Sequence, residues 1–254
     1  MLKLENIVKT FGGVVATDNL TLDFPERSLS AIIGPNGAGK TTLFNLITGH
    51  LVPDSGRILL AGEDIAGKKP ADIVRKGIGR AFQVASIFPS LTVEQALIGA
   101  VSAHYGVDGR MFQPFPPPRA RRRAEEMIEL LQMQAVADRI CSNISHGDQK
   151  LLDVGLALAL EPRVLLLDEP TAGMGPDERW KMMNTVRRLW ETQEMTLIFI
   201  EHDIEIVFEV AHTINVLKYG AVLASGPPQE IRGNPDVIEA YLGVEVDESG
   251  EVSA

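Results

Sequence analysis

Residues 34–42 read GPNGAGKTT, and they follow the apolar run Leu29-Ser30-Ala31-Ile32-Ile33. Gly34, Gly39, Lys40 and Thr41 satisfy the spacing G-x-x-x-x-G-K-S/T, and the helical run Leu43-Phe44-Asn45-Leu46-Ile47 comes next, ending at Gly49. A strand in front and a helix behind is the setting this pattern requires. Glycines let the backbone curl until successive N–H groups face one point, and the first helical turn adds its partial positive charge, so the loop suits a polyphosphate. Lys40 is expected to reach the β- and γ-phosphates and the Thr41 hydroxyl to ligate Mg²⁺, with Pro35, Asn36, Gly37, Ala38 and Thr42 completing the cradle. The plainer alternative is a glycine-rich turn arising by chance, which the flanking strand and helix disfavour.

A triphosphate loop also needs a carboxylate near its metal, and one arrives at the end of a second apolar run as Leu166-Leu167-Asp168-Glu169. Asp168 is expected to hold Mg²⁺ through water, and Glu169 to orient or deprotonate the attacking water. A kinase gains nothing from poising water there, whereas a hydrolase does. An Asp-Glu pair that only caps the next helix is the structural alternative. Two further residues follow strand-like runs: Gln83 after Ile78-Gly79-Arg80-Ala81-Phe82, and His202 after Thr196 to Ile200 and Glu201. Either alone would be an ordinary surface hydrogen-bonder. Open parallel sheets bind ligands at the carboxyl ends of their strands, so both become candidate γ-phosphate sensors, with Gln83 also a candidate metal ligand.

The rest of the chain bounds the reading. It has 254 residues, 45% of them hydrophobic, enough for one large α/β domain. The formal charge of −10 offers no global attraction to nucleic acid or anionic lipid, so no nucleic-acid partner is expected. Cys141, the single cysteine, forms no internal disulfide and suits a reducing compartment. The start resembles no signal peptide, and no window approaches the roughly 20 apolar residues of a spanning helix, so any work at a membrane is expected to go through partners. Leu2 to Val8 and Leu20 to Phe24 alternate as half-exposed antiparallel edge strands do, whereas Leu29 to Ile33, Val164 to Leu167 and Thr196 to Ile200 read as buried parallel strands. Thr92 with Gln95 makes a capping box, and Ser145 with Asp148 opens a helix carrying Leu151, Leu152, Leu156 and Leu158. The stretch HYGVDGRMFQPFPPPRARRR, residues 104–123, is expected to be a surface loop leading into a helix, its arginines on a solvated face. Residues 245–254 carry four acids and read as a frayed tail.

Taken together these residues resemble the nucleotide-binding subunit of an ATP-binding cassette (ABC) transporter, over about Leu2 to Leu242. GPNGAGKTT is similar to the family's Walker A loop, Gln83 to its Q-loop, Asp168 and Glu169 to its Walker B aspartate and catalytic glutamate, and His202 to its switch histidine. Phe11 lies where the family sets an aromatic ring against adenine; a core or edge-strand Phe is the alternative. The family's signature, usually LSGGQ, stands here as Ile144-Ser145-His146-Gly147-Asp148. Ser145 and Gly147 keep a hydroxyl, a flexible amide and a helix start to meet a γ-phosphate, while Asp148 adds negative charge there. After Walker B the chain reads Pro170-Thr171-Ala172-Gly173-Met174-Gly175-Pro176 in place of the usual Ser-Ala-Leu-Asp loop. That form, with Gly79 to Gln83 and Phe88 to Val93, is similar to the branched-chain amino acid branch and its relatives for urea and short amides.

The resemblance implies an α/β fold: a P-loop ATPase core with a mainly parallel sheet, an antiparallel β subdomain and an inserted α-helical subdomain. In a single domain of 1–254, it implies a nucleotide-binding lobe at 1–87 and 161–242, a helical subdomain at 88–160 and a flexible tail at 243–254. It implies ATP with Mg²⁺, a second cassette as homo- or heterodimer, transmembrane permease subunits and, indirectly, a solute-binding protein, with this chain peripheral at the cytoplasmic side of the inner membrane. The signature of one copy would complete the nucleotide site of the other, so that ATP closes the pair and hydrolysis opens it. The implied work is import of branched-chain or other hydrophobic amino acids, with urea, short amides or aromatic acids, or a non-transport ABC ATPase, as alternatives. A regulatory GTPase would carry Asn-Lys-x-Asp, a tetrapeptide this chain lacks.

Overall fold

The computed structural model describes residues 1–82, 87–106 and 116–242. In chain order the elements are β1 (Leu2–Phe11), β2 (Val14–Phe24), β3 (Leu29–Ile33), α1 (Lys40–Ile47), β4 (Ser55–Leu60), β5 (Glu63–Asp64), α2 (Pro70–Arg75) and β6 (Ile78–Ala81). There follow α3 (Val93–His104), α4 (Pro118–Leu130), α5 (His146–Leu158), β7 (Val164–Asp168), α6 (Pro176–Thr192), β8 (Thr196–Ile200), α7 (Ile204–Val210), β9 (Thr213–Lys218), β10 (Ala221–Gly226), α8 (Pro228–Arg232) and α9 (Pro235–Leu242). The chain forms two compact units, one of Met1–Lys76 with Glu194–Ala254 and one of Gly77–Gln193.

In the first unit, β3 is the inner strand of a β9-β3-β8 parallel arrangement, with Ala31 opposite both Phe199 and Ile214. All five residues of β3 and of β8 are buried. Strands covered on both faces lose the polar alternation of a half-exposed strand, which is why these runs read as uninterrupted apolar sequence. β10 closes this side antiparallel to β9. A second, antiparallel sheet has the order β2-β1-β4-β5. Here the structure corrects the expectation that both amino-terminal strands are edges: β1 is an inner strand, pairing Leu2 with Phe24 on one side and with Leu60 on the other. Alternation reports that one face is buried. It carries no information on how many neighbours hydrogen-bond to the strand, since backbone groups make those bonds whatever the side chain.

In the second unit, β6 and β7 pair in parallel, Ile78 with Val164 through Ala81 with Leu167. α3 starts at the expected capping box: the Gln95 amide donates to Thr92 Oγ1 at 3.1 Å and the Thr92 amide to Gln95 Oε1 at 3.0 Å. α4 begins at Pro118, whose fixed φ suits the first helical position. The arginines 119 and 121–123 therefore lie on α4 itself and not in a loop ahead of it. Residues 107–115, the tail at 243–254 and Gln83 lie outside the described residues.

Candidate functional site

In the first unit the chain leaves the carboxyl end of β3 into residues 34–39 and enters α1 at Lys40. Gly39 has φ 99, and a Cβ there would fall 2.3 Å from the carbonyl oxygen of Ala16. A Cβ on Gly34 would fall 2.2 Å from that of Leu217. Both positions need glycine because neighbouring backbone fills the space a side chain would take. The N-terminus of α1 has no side-chain cap, and the amides of Asn36, Gly37, Gly39 and Thr41 have no backbone acceptor among the described residues. Lys40 is buried, its ammonium donating to the carbonyls of Gly34 at 2.6 Å and Pro35 at 3.1 Å. The loop thus leaves these amides without a backbone acceptor and has one cation folded into it, while Asn36, Gly37 and the Thr41 side chain lie at the surface. Pro35, Gly39 and Thr42 are half-buried and Ala38 is buried, its amide closing a turn to Pro35 at 3.2 Å.

Phe11 ends β1 with 45% of its surface exposed, so it is no core residue. The segment before it is held by Asp54, which accepts from Lys9 Nζ at 2.7 Å and from the Thr10 amide and hydroxyl at 2.7 and 2.8 Å. Those bonds hold the Asp54 carboxyl down at about 2, and the Lys9 ammonium lies 5.6 Å from the centre of the Phe11 ring. His202 is exposed just beyond β8. Its amide donates to the buried Glu201 carboxylate at 3.2 Å, and Asp203 caps α7 through the Ile206 amide at 3.3 Å.

In the second unit β7 ends at Asp168, which forms a 2.6 Å ion pair with Arg80 of β6; their side chains are 5% and 7% exposed. The Arg80 guanidinium also lies 4.9 Å from the Phe82 ring centre. Glu169 follows at φ 50, a left-handed conformation that costs a residue with a Cβ about 1–2 kcal/mol. Its carbonyl accepts from Lys150 Nζ of α5 at 2.9 Å and closes a turn with the Ala172 amide at 3.1 Å. Asp153 of α5 accepts from the Phe82 amide at 2.8 Å. Arg80 and Lys150 thus bond to Asp168 and to the Glu169 carbonyl and Asp153 to the residue after β6, and none of the three was among the expected site residues. For Arg80 the signal was present: it is a lone charge in the apolar run Ile78 to Phe82, where an unpartnered charge would be prohibitive.

α5 is capped by Ser145, as its spacing to Asp148 requires. Ser145 Oγ accepts from the Asp148 amide at 3.1 Å and donates to Asp148 Oδ2 at 2.7 Å. Ser145, Gly147 and Asp148 line a cleft with Met174, Glu178 and Lys181. His146 is exposed, yet its Nε2 lies 3.3 Å from where a Cβ on Gly173 would be, so the ring rests beside the loop that follows Glu169. Among the described residues, no helix is long and apolar enough to cross a membrane.

Comparison with known proteins gives the same family from two directions. Residues 17–172 match the ABC transporter family, and residues 221–247 the branched-chain amino acid ATP-binding cassette transporter family. The high-affinity branched-chain amino acid transport ATP-binding protein LivG of Salmonella typhimurium is 36% identical over 251 residues, covering 96% of this chain and 98% of the relative. The corresponding Pseudomonas aeruginosa protein, BraF, is 36% identical over 249 residues with the same coverage. A solved nucleotide-free ATP-binding cassette from an ABC transporter superposes with a TM-score of 0.82 at 32% identity, covering 95% of this chain and 98% of that one. An ADP-bound cassette gives 0.82 at 31% identity, with 96% and 98% covered. With the phosphate loop at the end of β3, the paired carboxylates at the end of β7 and relatives matched along nearly their whole length, the chain belongs to the ABC transporter family as one of its ATP-hydrolysing cassettes.

Proposed function

We propose that this cassette powers import of branched-chain or other hydrophobic amino acids through separate membrane subunits, and that its hydrolytic residues are those the motifs single out. The observation that carries the solute class is the 36% identity, over 96% of the chain, to proteins named for high-affinity branched-chain amino acid transport. The amides left without a backbone acceptor in residues 34–42, those of Asn36, Gly37, Gly39 and Thr41, and the Lys40 ammonium would hold the phosphates, and Phe11 would stack on the base. Thr41, Asp168 and Gln83 would hold Mg²⁺, and each carries the oxygen donor that such a hard cation prefers. The metal, when bound, would neutralise charge on the β- and γ-phosphates. Glu169 would orient or deprotonate the attacking water, with Gln83 and His202 sensing the γ-phosphate.

Ser145 and Gly147 would meet the γ-phosphate held by a second cassette, as homo- or heterodimer. A solved ABC cassette of the same fold is described as dimeric, with a TM-score of 0.76. The cassette would sit peripherally at the cytoplasmic side of the membrane, bound to permease subunits that receive solute from a binding protein. The test is Glu169→Gln, expected to form ATP-dependent dimers whose hydrolysis is down roughly 10²–10⁴-fold, the usual worth of a positioned acid or base. Unchanged hydrolysis would remove the water-readying role. Uptake of labelled leucine, urea and a short amide by cells lacking this chain separates the solute classes; loss confined to urea or amide would overturn the amino-acid assignment.

A further inference from the structure

Lys150 and Asp153 lie three residues apart on α5, hence on one face of the helix, and they are 3% and 5% exposed. Burying a charge is costly unless a strong partner meets it, so the partners indicate what the burial serves. Lys150 Nζ donates to the main-chain carbonyl of Glu169 at 2.9 Å. Asp153 Oδ2 accepts from the main-chain amide of Phe82 at 2.8 Å. Phe82 and Glu169 are the residues by which the chain leaves β6 and β7, which run parallel with Ala81 opposite Leu167. One helix face therefore grips both strand exits, a cation on a carbonyl and an anion on an amide, each charge matched to the end of the peptide dipole it attracts.

The bond from Lys150 acts on the backbone of Glu169, which stands at φ 50. Held there, the backbone sets the direction in which the carboxylate leaves the chain. We propose that Lys150 and Asp153 are positioning residues for ATP hydrolysis: they hold Glu169 and the exit at Phe82 in one geometry. Because they ride on the helix capped by Ser145, a shift of that N-terminus moves both exits together. This rests on the reading of Glu169 as the group that readies water.

A purely structural pair of charges would lower stability and leave turnover per folded molecule unchanged. The test compares Lys150→Met with Lys150→Arg, and Asp153→Ala with Asp153→Asn, by melting temperature, ATP affinity and kcat in the assembled transporter. Lys150→Met and Asp153→Ala are expected to lower kcat by roughly tenfold or more with ATP affinity within about twofold, and the conservative partners to recover most of it. Wild-type kcat in either truncated variant, or affinity falling in step with kcat, overturns the proposal. If Lys150→Met does not fold, Lys150→Gln against Lys150→Arg carries the same comparison. Glu169→Gln, run alongside, separates the two ideas. Should it hydrolyse normally, the reading of Glu169 fails and takes this one with it; should it be inactive while Lys150→Met is normal, this proposal alone fails.

Discussion

The phosphate loop and the end of β7 solve the same electrostatic problem with different materials. Residues 34–42 use backbone: amides without a backbone acceptor, two glycines that no larger residue can replace, and one lysine bonded to the loop's own carbonyls. The end of β7 uses buried side-chain charge: Arg80 on Asp168, Lys150 on the Glu169 carbonyl, Asp153 on the Phe82 amide. A backbone cradle is cheap to bury because peptide groups carry no net charge, but it demands a particular chain conformation. A charged lattice fixes the main chain from outside, through side chains, and makes every member depend on its partner, since removing one leaves a buried charge uncompensated.

That contrast breaks first at Arg80. Arg80→Met is expected to cost about 3–5 kcal/mol by urea denaturation, because Asp168 is left buried without its cation, and Arg80→Met/Asp168→Leu to recover much of the loss. A single-variant cost under about 1 kcal/mol would mean that the lattice is less interdependent than drawn. The cradle is sharpened by two glycines. Gly39→Ala meets the Ala16 carbonyl and should cost about 2–3 kcal/mol with loss of ATP affinity. Gly37→Ala, at φ 82 in open space, should cost about 1 kcal/mol. Equal losses would show that conformation, and not close backbone approach, is what the loop requires.

Smaller effects are expected where the site meets solvent. Ser145 now donates to the Asp148 carboxylate. Asp148→Gln replaces the carboxylate by a neutral, weaker amide acceptor and takes a negative charge out of the cleft, and should raise steady-state hydrolysis about two- to fivefold, worth roughly 0.5–1 kcal/mol. A fall would mean that the carboxylate helps Ser145. The smallest effect concerns the segment bearing Phe11. The Asp54 carboxyl is lowered from 3.8 to about 2 by its bonds to Lys9 and Thr10. A depressed carboxyl contributes stability that is present above the unfolded value and is lost as pH falls through the folded one. The melting-temperature gap between wild type and Asp54→Asn should therefore be constant above pH about 4 and close as pH approaches about 2. A gap that persists at pH 2 would assign the effect to packing.

Much of the molecule was legible because its causes are local. The five-residue runs that became β3 and β8 are apolar throughout since both faces are covered, and the caps of α3 and α5 follow from hydroxyl and acceptor three residues apart. What was misread was non-local. β1 was expected at an edge, and the second partner that makes it an inner strand lies far along the chain at β4, where Leu2 meets Leu60 and Val8 meets Ser55, invisible to a period-two pattern.

The sequence by itself determined the glycine loop between β3 and α1, the placing of carboxylates after an apolar strand and the family, because glycine spacing, a helix start and a strand end are properties of a dozen contiguous residues. Only the tertiary structure decided that Asp168 is matched by Arg80, 88 residues away, that Asp153 reaches Phe82 across 71, and that Lys150 reaches Glu169 across 19. The physical reason is that a buried charge needs a partner of the right kind within about 3 Å, but the chain constrains that partner's chemistry and not its position in sequence.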